Sequence, residues 1–209
     1  MKKALLIIFF LLLPANLNAE NISKVYFAGG CFWCMEESFD KVDGVIKTIS
    51  GYSGGHVKNP KYKDVVKNTT GHYETLEITY DSSITNFKKL LEIYWINIDP
   101  FDADGQFCDK GESYKSVVFF KDSDQKKIVE TSIKNIENKF NKKVVTYVKK
   151  FKEFYIAETY HQDYYEKNFI RYLLYKKGCQ REETLNKIWA VSYTHLRAQE
   201  TSLHLVCRL

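Results

Sequence analysis

The clearest pattern along the chain is the strict alternation of residue types over 72–81, HYETLEITYD. An alternation of period two predicts a β-strand with one buried face. The face that carries most of the apolar residues consists of Glu74, Leu76, Ile78 and Tyr80. A carboxyl group is therefore expected among apolar side chains in the core.

A helical period follows the glycine pair at 29–30. Apolar residues recur there at spacings of three, four and three, at Phe32, Met35, Phe39 and Val42. This spacing is typical of the buried face of a helix, and Gly44 is expected to end it. Cys31 is thereby predicted to lie at or near the first turn of the helix.

The same periodicities assign most of the remaining chain. Strands are predicted over 24–30, 45–52, 114–120 and 143–150, and helices over 86–97 and 123–140. Turn-forming residues predict loops over 53–64 and 99–113, and the aromatic-rich segment 157–168 is expected to be helix or loop. This order of elements predicts one α/β domain, a two-layer sandwich with helices packed against a mixed sheet.

The two ends of the chain differ from this body. Lys2 and Lys3 precede an apolar run over 4–13, and a short stretch follows that ends in Ala19. This layout is typical of a cleaved signal peptide, 1–19, with an uncleaved anchor as the alternative, and we therefore expect an exported, periplasmic protein that leaves the membrane after cleavage. The last residues, 190–209, continue no periodicity and are predicted to be a non-native tail.

Composition places the body among globular proteins. The chain has 209 residues, of which 44% are hydrophobic and 15% aromatic, and its net charge is +5. Basic and acidic residues are interspersed, which indicates a solvated surface and argues against nucleic-acid binding.

The five cysteines, at 31, 34, 108, 179 and 207, are more informative. Disulfides form outside the cytosol, and an odd count leaves at least one thiol free or intermolecular.

The Cys31-x-x-Cys34 pair has three interpretations: a structural disulfide, half of a metal site, or a reactive thiol pair. A cysteine at a helix N-terminus is expected to have its pKa lowered from about 8.5, because free N–H groups and the helix dipole stabilise the thiolate. The flanking glycines would leave room for a substrate. Phe32 and Trp33 would form an apolar wall, which favours the reactive thiol.

Other polar residues could act beside such a thiol. Glu74, if buried, has a raised pKa and can serve as a general acid. His72 is as compatible with a structural hydrogen bond as with a base. Tyr62 lies in the first predicted loop and Tyr114 just after the second, where phenols can donate hydrogen bonds into a pocket. Asp109 lies in the second loop.

Two other classes of protein contain a Cys-x-x-Cys pair. A zinc site could combine it with Cys108 or Cys179 and His161, but the chain has no second C-x-x-C and no H-x-x-x-H. A thioredoxin-like disulfide exchanger also begins a helix with this pair. That fold expects a proline leading into a strand, and neither Pro60 nor Pro100 does so. A zinc- or disulfide-stabilised binding domain and a general disulfide oxidoreductase stay open as alternatives to a dedicated thiol enzyme.

Five motifs together resemble the peptide methionine sulfoxide reductases of the A type. They are GGCFWCMEESF (29–39), GYSGGHVKNPKYKDV (51–65), TGHYE (70–74), DPFDADGQFCDKGESYKS (99–116) and YHQDYY (160–165). The resemblance implies that 20–189 is a catalytic domain with a ferredoxin-like core and long active-site loops. It also implies reduction of the S epimer of methionine sulfoxide, free or in proteins, for the repair of oxidised proteins.

The resemblance implies a role for each residue of these motifs. Cys31 would be the nucleophile and Glu74 the acid. Tyr62 and Tyr114 would bind the sulfoxide oxygen, and Asp109 would contact an ordered water or polar group. Phe32 and Trp33 would cradle the methyl group of the substrate. A thiol that attacks a sulfoxide needs the oxygen to leave protonated, and a neutral carboxyl with nearby phenols supplies that need.

The attack would leave Cys31 as a sulfenic acid, which condenses readily with a second thiol. Cys34 is favoured for that step because a gap of two residues guarantees proximity, with Cys179 and then Cys108 as alternatives. Thioredoxin or another dithiol, such as a membrane-fed thiol relay, is the expected reductant. The resemblance implies no metal and no organic cofactor, and we expect a monomer.

Overall fold

The computed structural model describes residues 21–189. The predicted signal peptide, 1–19, and the predicted tail, 190–209, which contains Cys207, lie outside the described residues. Strands and helices alternate along the described chain in this order: β1 (Ile22–Ala28), α1 (Phe32–Phe39), β2 (Val45–Ser53), α2 (Tyr62–Val65), β3 (Tyr73–Asp81), α3 (Phe87–Ile96), β4 (Gly105–Gln106), β5 (Asp109–Lys110), β6 (Val117–Phe120), α4 (Ser123–Phe140), β7 (Tyr147–Lys150), β8 (Phe154–Ile156), α5 (Tyr164–Lys167), α6 (Phe169–Gly178) and α7 (Arg181–Trp189).

Six of the strands form one mixed sheet in the order β7-β6-β1-β3-β2-β8. β3 lies between β1 and β2 and is antiparallel to both, while β6 is antiparallel to β1 and β8 to β2. β7 is parallel to β6, and β4 and β5 form a separate short hairpin. The predicted α/β domain with helices against a mixed sheet is confirmed.

The main core lies between one face of the sheet and the helices α1, α3 and α4. Residues of β1 and β3 on this face pack with apolar residues of the three helices, and the set includes Val25, Phe27, Leu76, Ile78, Met35, Phe39, Leu90, Tyr94 and Val129. Leu76 and Ile78 are fully buried, so the predicted core face of β3 is confirmed. The opposite face is also covered, because the ring of Phe151 stacks on Tyr26 with centroids 3.8 Å apart.

Several elements differ from their predicted bounds. α1 ends at Phe39, before Gly44, although Val42 still packs against the core. The predicted loop 53–64 contains the start of α2, and the predicted loop 99–113 contains the hairpin β4–β5. The strand β8 and the helices α6 and α7 had no counterpart in the sequence prediction. Within residues 21–189, no helix is both long and apolar enough to cross a membrane.

Candidate active site

Cys31 is the N-cap residue of α1, at the end of a tight connection from β1, as predicted. Gly30 has φ +80°, a conformation that side chains rarely adopt, and a Cβ there would lie 2.5 Å from Cβ of Gln106. A Cβ on Gly29 would lie 2.5 Å from Sδ of Met35. Gln106 and Met35 occupy the positions that side chains would take at these glycines, so close packing requires glycine here, while access of a substrate to the Cys31 sulfur stays a prediction.

Cys31 and Cys34 are free thiols, and both are almost completely buried, with 5% and 2% of their surface exposed. Burial raises the pKa of Cys31 well above its ordinary value, and its contact with Cys34 adds to this effect. The pKa of Cys34 is lowered to about 7, because Cys31 donates a hydrogen bond to its thiolate and Arg181 adds a positive charge. The raised pKa of Cys31 is the opposite of the lowering that its place at the helix N-terminus predicts.

Glu74 lies near the start of β3, paired with Tyr52 of β2, and is 2% exposed. Its Oε2 accepts a hydrogen bond of 3.0 Å from the backbone N–H of Phe32, the residue after Cys31. Burial raises the pKa of Glu74 well above its ordinary value, and the nearby charge of Asp109 acts in the same direction. The predicted buried carboxyl is thus present, and its burial favours the protonated form.

Two phenols and a second carboxyl group surround the same thiol. Tyr62 begins α2, Tyr114 ends a 3₁₀ turn at Glu112–Tyr114, and their hydroxyl groups interact with each other. Burial raises the pKa of Tyr62 to about 12 and that of Tyr114 further, with the charge of Glu74 as the next cause, so both phenols stay protonated. Asp109 begins β5 and accepts a hydrogen bond from the hydroxyl of Tyr175.

The two aromatic residues after Cys31 belong to a larger aromatic cluster. Trp33 stacks on Tyr164 with ring centroids 3.7 Å apart and 10° between the ring planes. Its indole Nε1–H donates a 3.2 Å hydrogen bond to Nδ1 of His161. The His161 ring also lies 5.0 Å from the Phe32 ring and 4.4 Å from the Tyr62 ring, between centroids. His161 therefore joins the predicted methyl-binding wall to one of the predicted phenols.

His161 is neutral in this environment, since burial lowers its pKa to about 4. Because Nδ1 accepts from Trp33, the ring proton must lie on Nε2. That Nε2 is buried and has no hydrogen-bond partner within residues 21–189. The sequence offered His161 as a zinc ligand or a structural residue, whereas the structure places it in the wall of the site.

His72 has a different role. Its Nδ1 accepts a 3.1 Å hydrogen bond from the N–H of Gly55, and its Nε2 lies 2.7 Å from the carbonyl oxygen of Val57. Both ring nitrogens are thus used to hold the loop after β2. Of its two interpretations, the structural hydrogen bond agrees with this geometry.

Cys108 and Cys179 form a disulfide, with Cα atoms 5.0 Å apart and a sequence separation of 71. Their bond removes both from the set of thiolates that the zinc interpretation required. Sequence reasoning missed the residues that α6 and α7 bring to the thiols, namely Tyr172, Tyr175 and Arg181. The spacing of three between the two tyrosines, which places them on one helix face, was the available signal.

A buried carboxyl with a raised pKa, two protonated phenols and a buried pair of free thiols are the groups that a thiol-dependent oxidoreductase requires. The sequence profile of the family described as "Peptide methionine sulfoxide reductase" matches residues 23–193, and the protein belongs to this family. Its reaction is the reduction of methionine sulfoxide, which repairs oxidised proteins. Neither a binding domain nor a general disulfide exchanger is consistent with that membership.

Curated relatives and solved structures agree with this assignment. The chain is 44% identical over 175 residues to the peptide methionine sulfoxide reductase MsrA of Listeria monocytogenes serotype 4b, which covers 83% of this chain and 99% of the relative. It is 46% identical over 164 residues to MsrA 2 of Staphylococcus aureus, covering 78% and 93%. Reduced Mxr1 from Saccharomyces cerevisiae superposes with a TM-score of 0.67 at 28% identity, covering 72% and 88%. The methionine sulfoxide reductase A of Corynebacterium diphtheriae gives a TM-score of 0.65 at 26% identity, covering 72% and 77%.

Proposed function

We propose that Cys31 is the nucleophile and Glu74 the general acid in the reduction of methionine-S-sulfoxide. The position of Glu74 carries this proposal: its carboxyl is buried, its pKa is raised by that burial, and it accepts a hydrogen bond from the N–H of Phe32, one residue beyond the attacking sulfur. A neutral acid beside a thiol can protonate the sulfoxide oxygen as the sulfur is attacked, which is the proton transfer the reaction needs.

The first step moves two protons. The sulfur of Cys31 bonds to the sulfoxide sulfur while its proton passes to the Cys34 thiolate, and Glu74 protonates the oxygen. The sulfur–oxygen bond of the substrate then breaks, the hydroxyl group transfers to the Cys31 sulfur, and methionine leaves. Cys31 is now a sulfenic acid, Cys34 a thiol and Glu74 a carboxylate, so charge and protons balance.

The site contains two kinds of group that can select one epimer, and the resemblance to the family implies that this is the S epimer. Tyr62 and Tyr114 keep their protons and can donate to the sulfoxide oxygen on the side of Glu74. Phe32 and Trp33 present an apolar surface for the methyl group. An oxygen held on one side and a methyl group on the other leave only one configuration at sulfur for the attack.

Cys34 is the proposed resolving thiol. Its backbone N–H donates a 3.1 Å hydrogen bond to the carbonyl of Cys31, so the two residues share one helical turn, while Cys108 and Cys179 are bonded to each other. The Cys34 thiol attacks the sulfenic acid, water leaves, and a Cys31–Cys34 disulfide remains. A dithiol of the thioredoxin type then returns both thiols and is itself oxidised, and Glu74 regains its proton from water.

We also propose that the domain has a ferredoxin-like core and that the protein is exported. A ferredoxin-like core is supported by the chain order β1-α1-β2-β3-α3-β6 together with the sheet order β6-β1-β3-β2. Export is supported by the layout of residues 1–19 and by a disulfide at Cys108 and Cys179, since such bonds persist in oxidising compartments. A monomer stays a prediction.

The two epimers of a methionine sulfoxide peptide, offered with a dithiol, test the proposed roles. The wild-type protein is expected to reduce the S epimer alone, Cys31→Ser neither, and Glu74→Gln the S epimer with kcat lower by about 10²–10⁴-fold. Glu77→Gln is the matched control, because Glu77 lies on the same strand but binds Lys24 and Tyr26 on the opposite face. Full activity of Cys31→Ser, or equal losses for the two glutamate variants, would contradict the proposal.

A further inference from the structure

The Cys108–Cys179 disulfide lies outside the reacting groups but beside them in the fold. Cys108 is exposed and occupies the turn between β4 and β5, directly before Asp109. Cys179 is half-buried and is the C-cap residue of α6. The bond therefore joins the hairpin that carries Asp109 to the end of the helix that carries Tyr175, the partner of Asp109.

The hairpin has anchors of its own. Gln106 in β4 is fully buried, and its side-chain amide accepts from the N–H of Asp99 and donates to the carbonyl of Asp99, both at 2.8 Å. The N–H of Gly111 donates a 2.8 Å hydrogen bond to the carbonyl of Asp104. These bonds hold the hairpin to the loop before it without help from the disulfide.

The helix α6 is held much less firmly by packing. Tyr172 is its one buried residue, and four large apolar side chains of the helix are exposed, namely Phe169, Ile170, Leu173 and Leu174. The Tyr175 ring also packs edge-on against the Trp33 ring, with centroids 6.0 Å apart. Two further contacts are polar: the hydroxyl of Tyr172 and Nζ of Lys176 lie 2.7 Å and 2.6 Å from the Glu37 carboxylate. With so little apolar surface buried, the position of α6 depends on these bonds and on the disulfide.

The same helix and the one after it surround the thiol of Cys34. The titratable and charged groups that face Cys34 come from four elements: Cys31 at the start of α1, Tyr172, Tyr175 and Lys176 of α6, Arg181 of α7, and Glu74 of β3. Arg181 is buried and donates a 2.5 Å hydrogen bond to the carbonyl of Asn97. Among these groups, Cys31 favours the Cys34 thiolate most, through its hydrogen bond, and the charge of Arg181, the hydroxyl of Tyr172 and the charge of Lys176 add to that effect.

We propose that the Cys108–Cys179 disulfide is a positioning element of the active site and stays oxidised throughout the catalytic cycle. It ties α6 to the Asp109 hairpin, so that Tyr175 reaches Asp109 while Tyr172 and Lys176 reach Cys34. Cys108 and Cys179 carry no electrons in this arrangement. The inference rests on the proposed function for the roles of Cys34 and Asp109.

The effect can be measured on the thiol without any sulfoxide. With the disulfide in place, the pKa of Cys34 is about 7. Without it, we expect the pH midpoint of Cys34 alkylation to rise, with about 8.5, the value for an unassisted thiol, as the upper limit, because Cys31 and Arg181 stay beside Cys34. At that limit the thiolate fraction at pH 7 would fall about 15-fold, and the alkylation rate about threefold, since a more basic thiolate is also more nucleophilic.

The test compares the wild-type protein with the double variant Cys108→Ser/Cys179→Ser, which leaves no unpaired thiol at this position. Iodoacetamide alkylation of Cys34 is followed from pH 5 to 10 by peptide fragmentation, after circular dichroism has verified the fold. Lys110→Met is the matched control, because it removes the 2.5 Å ion pair of Lys110 with Asp102 on the same hairpin and keeps the disulfide. Its midpoint is expected to equal that of the wild type.

A raised midpoint in the folded double variant, with kcat lowered several-fold but continued turnover, is the expected result. An unchanged midpoint would overturn the proposal, because the disulfide would then be only a structural crosslink. A variant that stalls after one turnover would also overturn it, because Cys108 and Cys179 would then carry electrons. If the double variant fails to fold, the wild-type protein in graded dithiol buffers replaces it, and the Cys34 midpoint must follow the fraction of intact disulfide. Since alkylation needs no sulfoxide, its result is independent of the proposed reduction.

Discussion

Glu36 is expected to make the protein less stable as the pH rises from acid to mildly alkaline values. This side chain points from α1 into the interior and has no exposed surface. Its Oε2 accepts a 3.0 Å hydrogen bond from the N–H of Asp163, and its Oε1 is buried without a hydrogen-bond partner within residues 21–189. One satisfied oxygen is too little to compensate a buried negative charge, so the carboxyl group keeps its proton in the folded protein.

The magnitude follows from proton linkage. Burial raises the pKa of Glu36 from 4.5 to about 8, the charges of Asp40 and Asp163 act in the same direction, and the Asp163 N–H and Lys167 oppose them. A folded-state pKa above the unfolded one gives stability that is complete below the unfolded pKa and is lost as the pH rises towards the folded pKa. At about 1.36 kcal/mol per pH unit the loss has an upper limit of about 5 kcal/mol, and relaxation of the site brings it to about 2–3 kcal/mol.

The variant Glu36→Gln removes this ionisation while keeping the shape of the side chain. Between pH 4.5 and 8, its free energy of unfolding is expected to gain about 2–3 kcal/mol relative to the wild type. The new amide also changes the hydrogen bonding of the site. This cost is the same at every pH, so it shifts the free energy of unfolding of the variant by a constant amount and does not change how the difference varies with pH. The thiols titrate alike in both proteins and cancel in the difference.

Urea unfolding followed by circular dichroism between pH 4.5 and 8.5 measures this difference directly. Glu92→Gln is the matched control, because Glu92 is an exposed residue of α3, and its curve is expected to stay parallel to that of the wild type. A constant difference between Glu36→Gln and the wild type at every pH would refute the reasoning, because Glu36 would then ionise equally in the folded and unfolded states.

Three further outcomes are expected from the site. After a single turnover without reductant, Cys34→Ser should keep a sulfenic acid that a dimedone probe labels, and the absence of label would exclude Cys34 as the resolving thiol. His161→Ala removes the hydrogen-bond acceptor of the Trp33 indole and should raise KM about tenfold with kcat nearly unchanged. His161→Gln retains an acceptor and should keep part of the affinity for substrate. Equal KM values for the two variants would contradict the role of the hydrogen bond. Tyr62→Phe combined with Tyr114→Phe should lower kcat by about 10²-fold or more in steady-state assays, and a loss confined to KM would show that the phenols bind the ground state only.

The sequence predicted the elements whose apolar residues are buried with a regular period. The period-two pattern of β3 and the helical spacings of α1, α3 and α4 correspond to faces that pack in the main core. The helix α6 was missed because its apolar residues, among them Phe169 and Leu174, are exposed and form no buried stripe. The strand β8 spans only Phe154–Ile156, too few residues for an alternation to be recognised.

The site was predictable as a set of residues but not as a set of protonation states. The motifs named Cys31, Glu74, Tyr62, Tyr114 and Asp109, and the structure brings their charged or polar groups together. The pKa of Cys34 depends on its hydrogen bond with Cys31, on burial, and on groups from α6 and α7, which lie more than 100 residues away in sequence. The pairing of Cys108 with Cys179 is likewise a contact across 71 residues that spacing cannot reveal.

Peptide mapping by mass spectrometry after one turnover, with substrate in slight excess and no reductant, tests the central claim most directly. We expect one new disulfide, Cys31–Cys34, together with one equivalent of methionine and an unchanged Cys108–Cys179 bond. A disulfide between Cys31 and either Cys108 or Cys179, or an oxidised protein in which Cys31 is still a thiol, would contradict the account.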